Sequence, residues 1–423
     1  MRAFRLSLLV LCSCALLAGP RAAAAGPPHE PFFPRAGNRG YDASYYEVEL
    51  EYHPDQRGVD GEVTMYALPS ERLSRLTLDF FGPPVKAVLV DDGKARFQRH
   101  GGKLVVLPGL AVPPGEYFTV TVTYSGVPPT ITDADGTHEG WYPTDDGVLA
   151  VGEPQGTAAW IPCDNVPSDK AKFNFAVTVP SGLRAVANGR RHQVSRRGGR
   201  TTYDWREGRP MSPYLAVLDI GRGKIESSTV EGGPAYTLVD PRLAKGSRPV
   251  LAELPRIVRF ESRLYGGYPF TSAGSIVDFA PKLGYALETQ GRPIYPYVPD
   301  LTTVVHETAH QWFGDAVGLK RWPNIWLNEG FATWTEWYYA ERHGRRSAQA
   351  IFDRLHRVPA SNERFLGPAL RAPEHPRASL RPLRLHPRGD GAAGAANGDR
   401  HQADASDPAP VGGDAPLRKR RHR

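Results

Sequence analysis

Cysteine is almost missing from this 423-residue chain, which has three, Cys12, Cys14 and Cys163. The first two lie in an apolar N-terminal segment. Once that segment is removed Cys163 stands alone, and no intrachain disulfide can form. Long apolar runs are scarce too. The run Leu6 to Leu17, preceded by Arg2 and Arg5 and followed by Ala22 to Ala25, is too short for a stable membrane span. It reads as an export signal, residues 1–25, and no other segment reads as transmembrane. The expectation is a secreted or cell-envelope protein. A lipid anchor on Cys14 is disfavoured because apolar residues continue past it. Also lacking are basic patches interleaved with aromatics, which argues against a nucleic-acid partner. The net charge of +7 owes much to the last residues, Arg418 to Arg423, and the other basic residues are scattered.

What remains is an ordinary globular composition, 40% hydrophobic and 23% charged, with room for two domains. From Tyr41 to about Asp240 apolar and polar residues alternate in short bursts. Tyr46 to Tyr52, Gly61 to Tyr66 and Tyr117 to Tyr124 are the clearest, with Asp91-Asp-Gly93 and Val112-Pro-Pro-Gly115 among the separators. Period-2 strands punctuated in this way predict an antiparallel β domain over 26–240 with one face buried. After Pro249 the spacing turns helical. Leu251 to Tyr265 places Leu254, Ile257, Val258 and Phe260 near one face. A short strand region follows at Gly274 to Tyr285, then helices near Thr302–Trp312, Leu327–His343 and Ala348–Arg357. This second region spans 241–371. From residue 372 the composition shifts to Pro, Gly, Ala, Arg and Asp without aromatics, and the expectation for 372–423 is a disordered tail.

Val305-His-Glu-Thr-Ala-His-Gln-Trp-Phe-Gly314 contains an H-E-x-x-H pattern. Residues four apart share a helix face, so His306 and His310 can aim two imidazoles at one metal ion, with Glu307 beside them to handle a proton. Pro299-Asp300 offers a helix start and Gly314 a stop. The carboxylate of Glu329, in Trp326-Leu-Asn-Glu-Gly-Phe-Ala332, follows after a loop with Trp322-Pro323 and can return as a third ligand. Two imidazoles and one carboxylate leave a tetrahedral Zn²⁺ one open position, as in catalytic rather than closed structural sites. Zn²⁺, one per chain, is therefore the expected cofactor. Glu336, about two helical turns after Glu329, could orient a ligand, although a solvated helix glutamate fits equally well. His343 and His356 read as surface residues.

His306-Glu-Thr-Ala-His-Gln-Trp-Phe-Gly314, Trp326 to Glu336 and Trp160 to Phe173 together resemble the aminopeptidase N / leukotriene hydrolase family of gluzincins. The resemblance runs from about Tyr41 to about Arg357, with the motifs in family order. It implies an α+β protein: an N-terminal β saddle or sandwich, then a thermolysin-like mixed α/β catalytic domain, incomplete here. It further implies a zinc aminopeptidase in which Glu307 activates a zinc-bound water. The family's exopeptidase motif matches Tyr285-Ala-Leu-Glu-Thr289 at Ala286 and Glu288 and differs at three positions. The resemblance makes Glu288 the group that binds the α-amino group of a peptide with a free N-terminus. Glu153, in Gly152-Glu-Pro-Gln155, matches a second amine-binding position.

The family also uses a tyrosine, beyond the glutamate ligand, to hydrogen-bond the developing oxyanion, yet residues 340–423 contain no tyrosine. Read one nucleotide later with permissible codons, Arg384 to His401 becomes V-Y-T-R-G-A-M-A-L-Q-A-L-R-T-E-I-G, which resembles the family's tyrosine segment. An out-of-frame tail is the corresponding expectation, and sequencing the gene across those codons checks it. A catalytically dead zinc- or peptide-binding module and a zinc endopeptidase remain open beside the aminopeptidase. N-terminal residue preference and oligomeric state are not legible.

Overall fold

The alternation in Tyr41–His53 becomes a central strand whose buried face switches phase midway. Tyr41 and Ala43 point inward, a bulge interrupts the pairing between Ala43 and Tyr45, and Tyr46, Val48, Leu50 and Tyr52 then carry the core face. One extra residue thus moves the inward set from odd to even positions without exposing an apolar side chain. This strand belongs to a computed structural model of the chain that describes residues 30–133 and 136–357. The export segment expected at 1–25 and the tail at 372–423 lie outside the described residues.

An eight-stranded sheet holds the first half. Its spatial order is Arg190–Arg197, Arg200–Met211, Ala171–Pro180, Tyr41–His53, Gly58–Pro69, Phe118–Gly126, Val85–Val90 and Gly93–Lys94. The antiparallel expectation holds at every pairing but one: Tyr41–His53 runs parallel to Ala171–Pro180, with Val48 opposite Phe175. Only a long connection can join parallel neighbours, and here it includes several further strands. A five-stranded antiparallel sheet, ordered Arg184–Ala187, Leu218–Gly221, Val148–Val151, His138–Pro143 and Thr130–Thr132, accompanies it, with a small three-stranded sheet.

A four-stranded mixed sheet opens the second half, ordered Lys224–Val230, Gly233–Val239, Ala273–Val277 and Ile294–Tyr295. The strand expected over Gly274 to Tyr285 ends at Val277. Asp278 Oδ1 there accepts the Phe279 N–H at 2.8 Å, and Pro281 cannot donate to a ladder. Among the described residues the second half carries five α-helices: α1 (Ala244–Leu251), α2 (Leu254–Tyr265), α3 (Leu301–Ala309), α4 (Trp326–Arg342) and α5 (Ala348–His356). The helix expected from Leu251 begins instead at Leu254, and α1 is separate, with Pro249 inside it. On α2 the buried face carries Leu254, Ile257 and Val258 as expected, and also Glu261. No helix among the described residues is long and apolar enough to cross a membrane.

The apolar interior is not divided at residue 240. One core cluster runs from the β sheets into Ile276, Leu283, Leu287, Ile294 and Trp322, and a second, with Val304, Val305 and Trp312, underlies the helices. Trp322 is fully buried against Phe33 and Tyr214, and its backbone N–H donates to Glu30 Oε2 at 2.9 Å. That anchor fixes the turn Trp322–Asn324 from which α4 departs.

Candidate metal centre

Asp300 caps α3: its Oδ1 accepts the Thr303 N–H at 2.8 Å, which sets the helical phase for His306. The regular helix stops at Ala309, earlier than the expected Trp312, and His310 is its C-cap. The spacing of the two histidines survives, because the His310 N–H still donates to the His306 carbonyl at 3.3 Å. Tight turns follow, with the Asp315 N–H on the His310 carbonyl at 3.0 Å. Gly314 lets α4 approach: a Cβ there would stand 3.3 Å from Asn328 Nδ2 and 3.4 Å from His310 Nδ1, at a φ of +141°.

The two imidazoles lie 4.8 Å apart between ring centres, and Glu329 reaches them from the first turn of α4. His306 Nε2 is 3.2 Å from Glu329 Oε2, and His310 Nε2 is 3.8 Å from Glu329 Oε1. All three residues are buried. The opposite ring nitrogens are occupied. His310 Nδ1 lies 3.0 Å from the Phe313 carbonyl and His306 Nδ1 lies 2.5 Å from Glu336 Oε1. A carbonyl only accepts, so the proton of His310 sits on Nδ1, and the Glu336 carboxylate places that of His306 likewise. Both Nε2 lone pairs are then directed at the space shared with Glu329.

This donor set fits Zn²⁺. Ligands about 2.0–2.1 Å from a tetrahedral ion stand roughly 3.3 Å from one another, close to the separations from Glu329. The electrostatics call for a cation as well. Burial alone would lower the His306 pKa, yet hydrogen bonds to Glu329 and Glu336 and the nearby Glu307 carry it well above its ordinary value. A divalent ion supplies the positive charge that these carboxylates otherwise draw from a proton. Replacing Glu336 by glutamine removes charge but not volume from the His306 contact. Zinc affinity should fall about 10- to 100-fold, read by competition with a chromophoric chelator.

Glu307 and Glu288 complete the buried centre. One oxygen from each and a nitrogen of His310 lie within 4.8 Å of one another. Glu288 Oε1 has no hydrogen-bond partner among the described residues. The backbone around Glu288 is clamped to α3 by Gln311, whose Nε2 donates to the Glu288 carbonyl at 3.1 Å and whose Oε1 accepts the Gly291 N–H at 2.6 Å. Glu153 is half-buried on the β side. It shares a neighbour with Glu288: burial first, then Glu288, Asp315 and Glu153, push the Tyr214 pKa well above its ordinary value. Ala286 packs in the second core cluster, which leaves its backbone rather than its side chain for a ligand. His343 and His356 are exposed.

Sequence reasoning missed several groups here. Asp315 is fully buried, neither oxygen accepts a hydrogen bond, and burial followed by the charge of Glu288 raises its pKa. Its signal was its place directly after Gly314. Gln311, next to His310, was legible in the same way. Glu261 is fully buried on α2 and faces His306, whose charge partly offsets a pKa raised by burial. Nothing in the local sequence distinguishes it from a solvated helix glutamate.

Comparisons with known proteins give the family. Residues 42–215 match the Peptidase M1 N-terminal domain and residues 299–364 the Peptidase family M1 domain. An M1 zinc metallopeptidase from Deinococcus radiodurans superposes with a TM-score of 0.72 at 31% identity, covering 78% of each chain. A mutant of that protein bound to a Tyr-Ser-Ala substrate is equally similar, at 30% identity and a TM-score of 0.72 over 78% of each chain. Aminopeptidase M1-B of Oryza sativa subsp. japonica is 32% identical over 43% of this chain and 22% of its own length. Leucyl aminopeptidase of Saccharolobus solfataricus is 30% identical over 41% and 24%. The chain thus spans about a quarter of the length of these two curated relatives. Fold and donor set define a gluzincin zinc site. The chain belongs to peptidase family M1.

Proposed function

We propose that the chain is a zinc-dependent aminopeptidase that hydrolyses the N-terminal peptide bond of peptides. The observation that carries this reading is the closeness of Glu288 to Glu307 and His310, all within 4.8 Å. In a peptide the α-nitrogen and the first carbonyl carbon are roughly 2.5 Å apart. A buried carboxylate that close to the metal centre can hold the α-ammonium only when the bond at the centre is the first one. Glu153 adds negative charge around the same place, which favours a terminal ammonium and disfavours mid-chain peptide.

In this mechanism His306, His310 and Glu329 hold Zn²⁺, which when bound supplies Lewis-acid polarisation of the scissile carbonyl. Glu307 takes a proton from the attacking water and hands it to the leaving amine. Glu288, with Glu153, fixes the substrate amine so that the first carbonyl falls beside Glu307. A second reading is a module that binds zinc and peptide amines with little turnover. Chelator-sensitive hydrolysis of an aminoacyl chromogenic substrate separates the two, since zinc content without turnover supports the module.

The Glu288→Gln variant tests the amine site. A hydrogen bond to a charged group contributes about 1.5–3 kcal/mol, so KM for a free-amine dipeptide should rise about 10- to 100-fold. N-acetylated peptides should resist cleavage by the unaltered chain, and efficient cleavage of them would make it an endopeptidase. Export is the proposed destination, because the charged start, apolar run and small residues of 1–25 suit signal cleavage. N-terminal sequencing of secreted protein should begin near Gly26.

A further inference from the structure

Four aspartates converge away from the zinc centre, and the proposed peptidase chemistry uses none of them. Asp240 and Asp278 directly follow the adjacent parallel strands Gly233–Val239 and Ala273–Val277, in which Val239 is opposite Val277. The Asp240 N–H donates to the Val277 carbonyl at 2.8 Å, which locks the two strand ends together. Asp146 comes from the turn between His138–Pro143 and Val148–Val151. One oxygen from each of these three residues lies within 4.8 Å of the other two. Asp219 enters from the strand Leu218–Gly221.

Asp219 is an independent observation that points to a ligand. It is fully buried, no N–H or hydroxyl donor reaches either of its oxygens among the described residues, and its side chain lies within hydrogen-bond reach of the Asp278 carboxyl, with Asp146 nearby. Asp278 Oδ2 is likewise buried with no N–H or hydroxyl donor. The neighbouring donors go elsewhere. Arg242 spends Nε and Nη2 on Asp240 and Nη1 on Asp145, and the Arg222 N–H goes to Asp146 Oδ2 at 2.6 Å. One guanidinium therefore faces five carboxylates, Asp145 included, and none of its hydrogen bonds reaches Asp219 or Asp278. Burial, then neighbouring carboxylates, raises both of their pKa values, that of Asp278 to about 7.

We infer that Asp146, Asp219, Asp240 and Asp278 form a second cation site, for a hard divalent ion of the calcium type, joining the five-stranded sheet to the strand ends of the second half. All-oxygen, all-carboxylate donors suit Ca²⁺, which accepts six to eight oxygens in flexible geometry, rather than Zn²⁺, which favours nitrogen and sulfur. The ion takes the place of a proton between Asp219 and Asp278 and ties four separate chain segments to one point. It is a structural site, apart from the zinc and its substrate.

The test uses the full zinc-loaded chain at pH 8, where a carboxyl with a pKa of about 7 is mostly ionised. CaCl₂ or MgCl₂ is titrated at constant ionic strength while Tm and binding heat are followed. CaCl₂ should raise Tm by about 3 °C near 100 times its Kd, with one ion bound per chain. MgCl₂ should act more weakly, because it resists dehydration. Asp219→Asn and Asp278→Asn should each abolish the shift. Should either fail to fold, the half-buried Asp146→Asn serves, with at least a tenfold loss of Ca²⁺ affinity. No Ca²⁺ response in the unaltered chain overturns the proposal, as does an equal response in all variants. Loss of zinc or of peptidase activity leaves these readouts interpretable, since neither depends on turnover.

Discussion

Substituting His306 with alanine should take bound zinc from one ion per chain to a small fraction of that under dilute metal, while the β-sheet circular dichroism persists. His306 supplies one of three protein donors, its Nε2 standing 3.2 Å from Glu329 Oε2. Losing a donor should cost on the order of 10³-fold or more in affinity, beyond the 10- to 100-fold expected for the outer contact at Glu336. The effect should also reach stability. Without the ion, Glu329, Glu336 and Glu307 remain clustered around one place, and the binding energy of the ion no longer favours the folded chain. Zinc analysis after dialysis, with a thermal melt of the same sample, reads both. Full zinc occupancy in the variant would mean that the ion is held elsewhere.

The second large effect belongs to Glu307. Glu307→Gln should keep one zinc per chain and lower kcat by about 10²–10⁴, the usual contribution of a positioned general base. KM should change little, because Glu288 and Glu153 still hold the amine. That split distinguishes a proton carrier from a ligand: losing a ligand removes metal and activity together, whereas losing the base spares the metal. Steady-state kinetics with an aminoacyl chromogenic substrate, paired with zinc content, decides between them. A variant with unchanged kcat would exclude Glu307 from the chemistry.

The donor set could be read from sequence because it rests on local rules. A helix puts His306 and His310 on one face whatever surrounds it, and the loop between His310 and Glu329 is long enough to bring back a carboxylate. The strand alternation in Tyr41–His53 was legible for the same reason, but its bulge was not, since the shift between Ala43 and Tyr45 depends on the partner strand. The parallel pairing of that strand with Ala171–Pro180 escaped notice because it joins residues more than a hundred positions apart. Proline misled the reading at α1, where Pro249 lies inside a helix. Glu261 and the aspartates 146, 219, 240 and 278 were invisible for a further reason. Their burial is decided by which elements pack together, and an isolated carboxylate in a sequence looks solvated. The roles proposed for the site follow from motif and resemblance, while its electrostatic character emerged only from tertiary packing.

Anomalous X-ray diffraction from crystals of the zinc-loaded chain, collected on both sides of the zinc absorption edge, addresses the metal assignment most directly. One strong peak should appear about 2.0–2.2 Å from His306 Nε2, His310 Nε2 and a Glu329 oxygen. Well-folded protein with no peak there, or with zinc only among the aspartates, would contradict it.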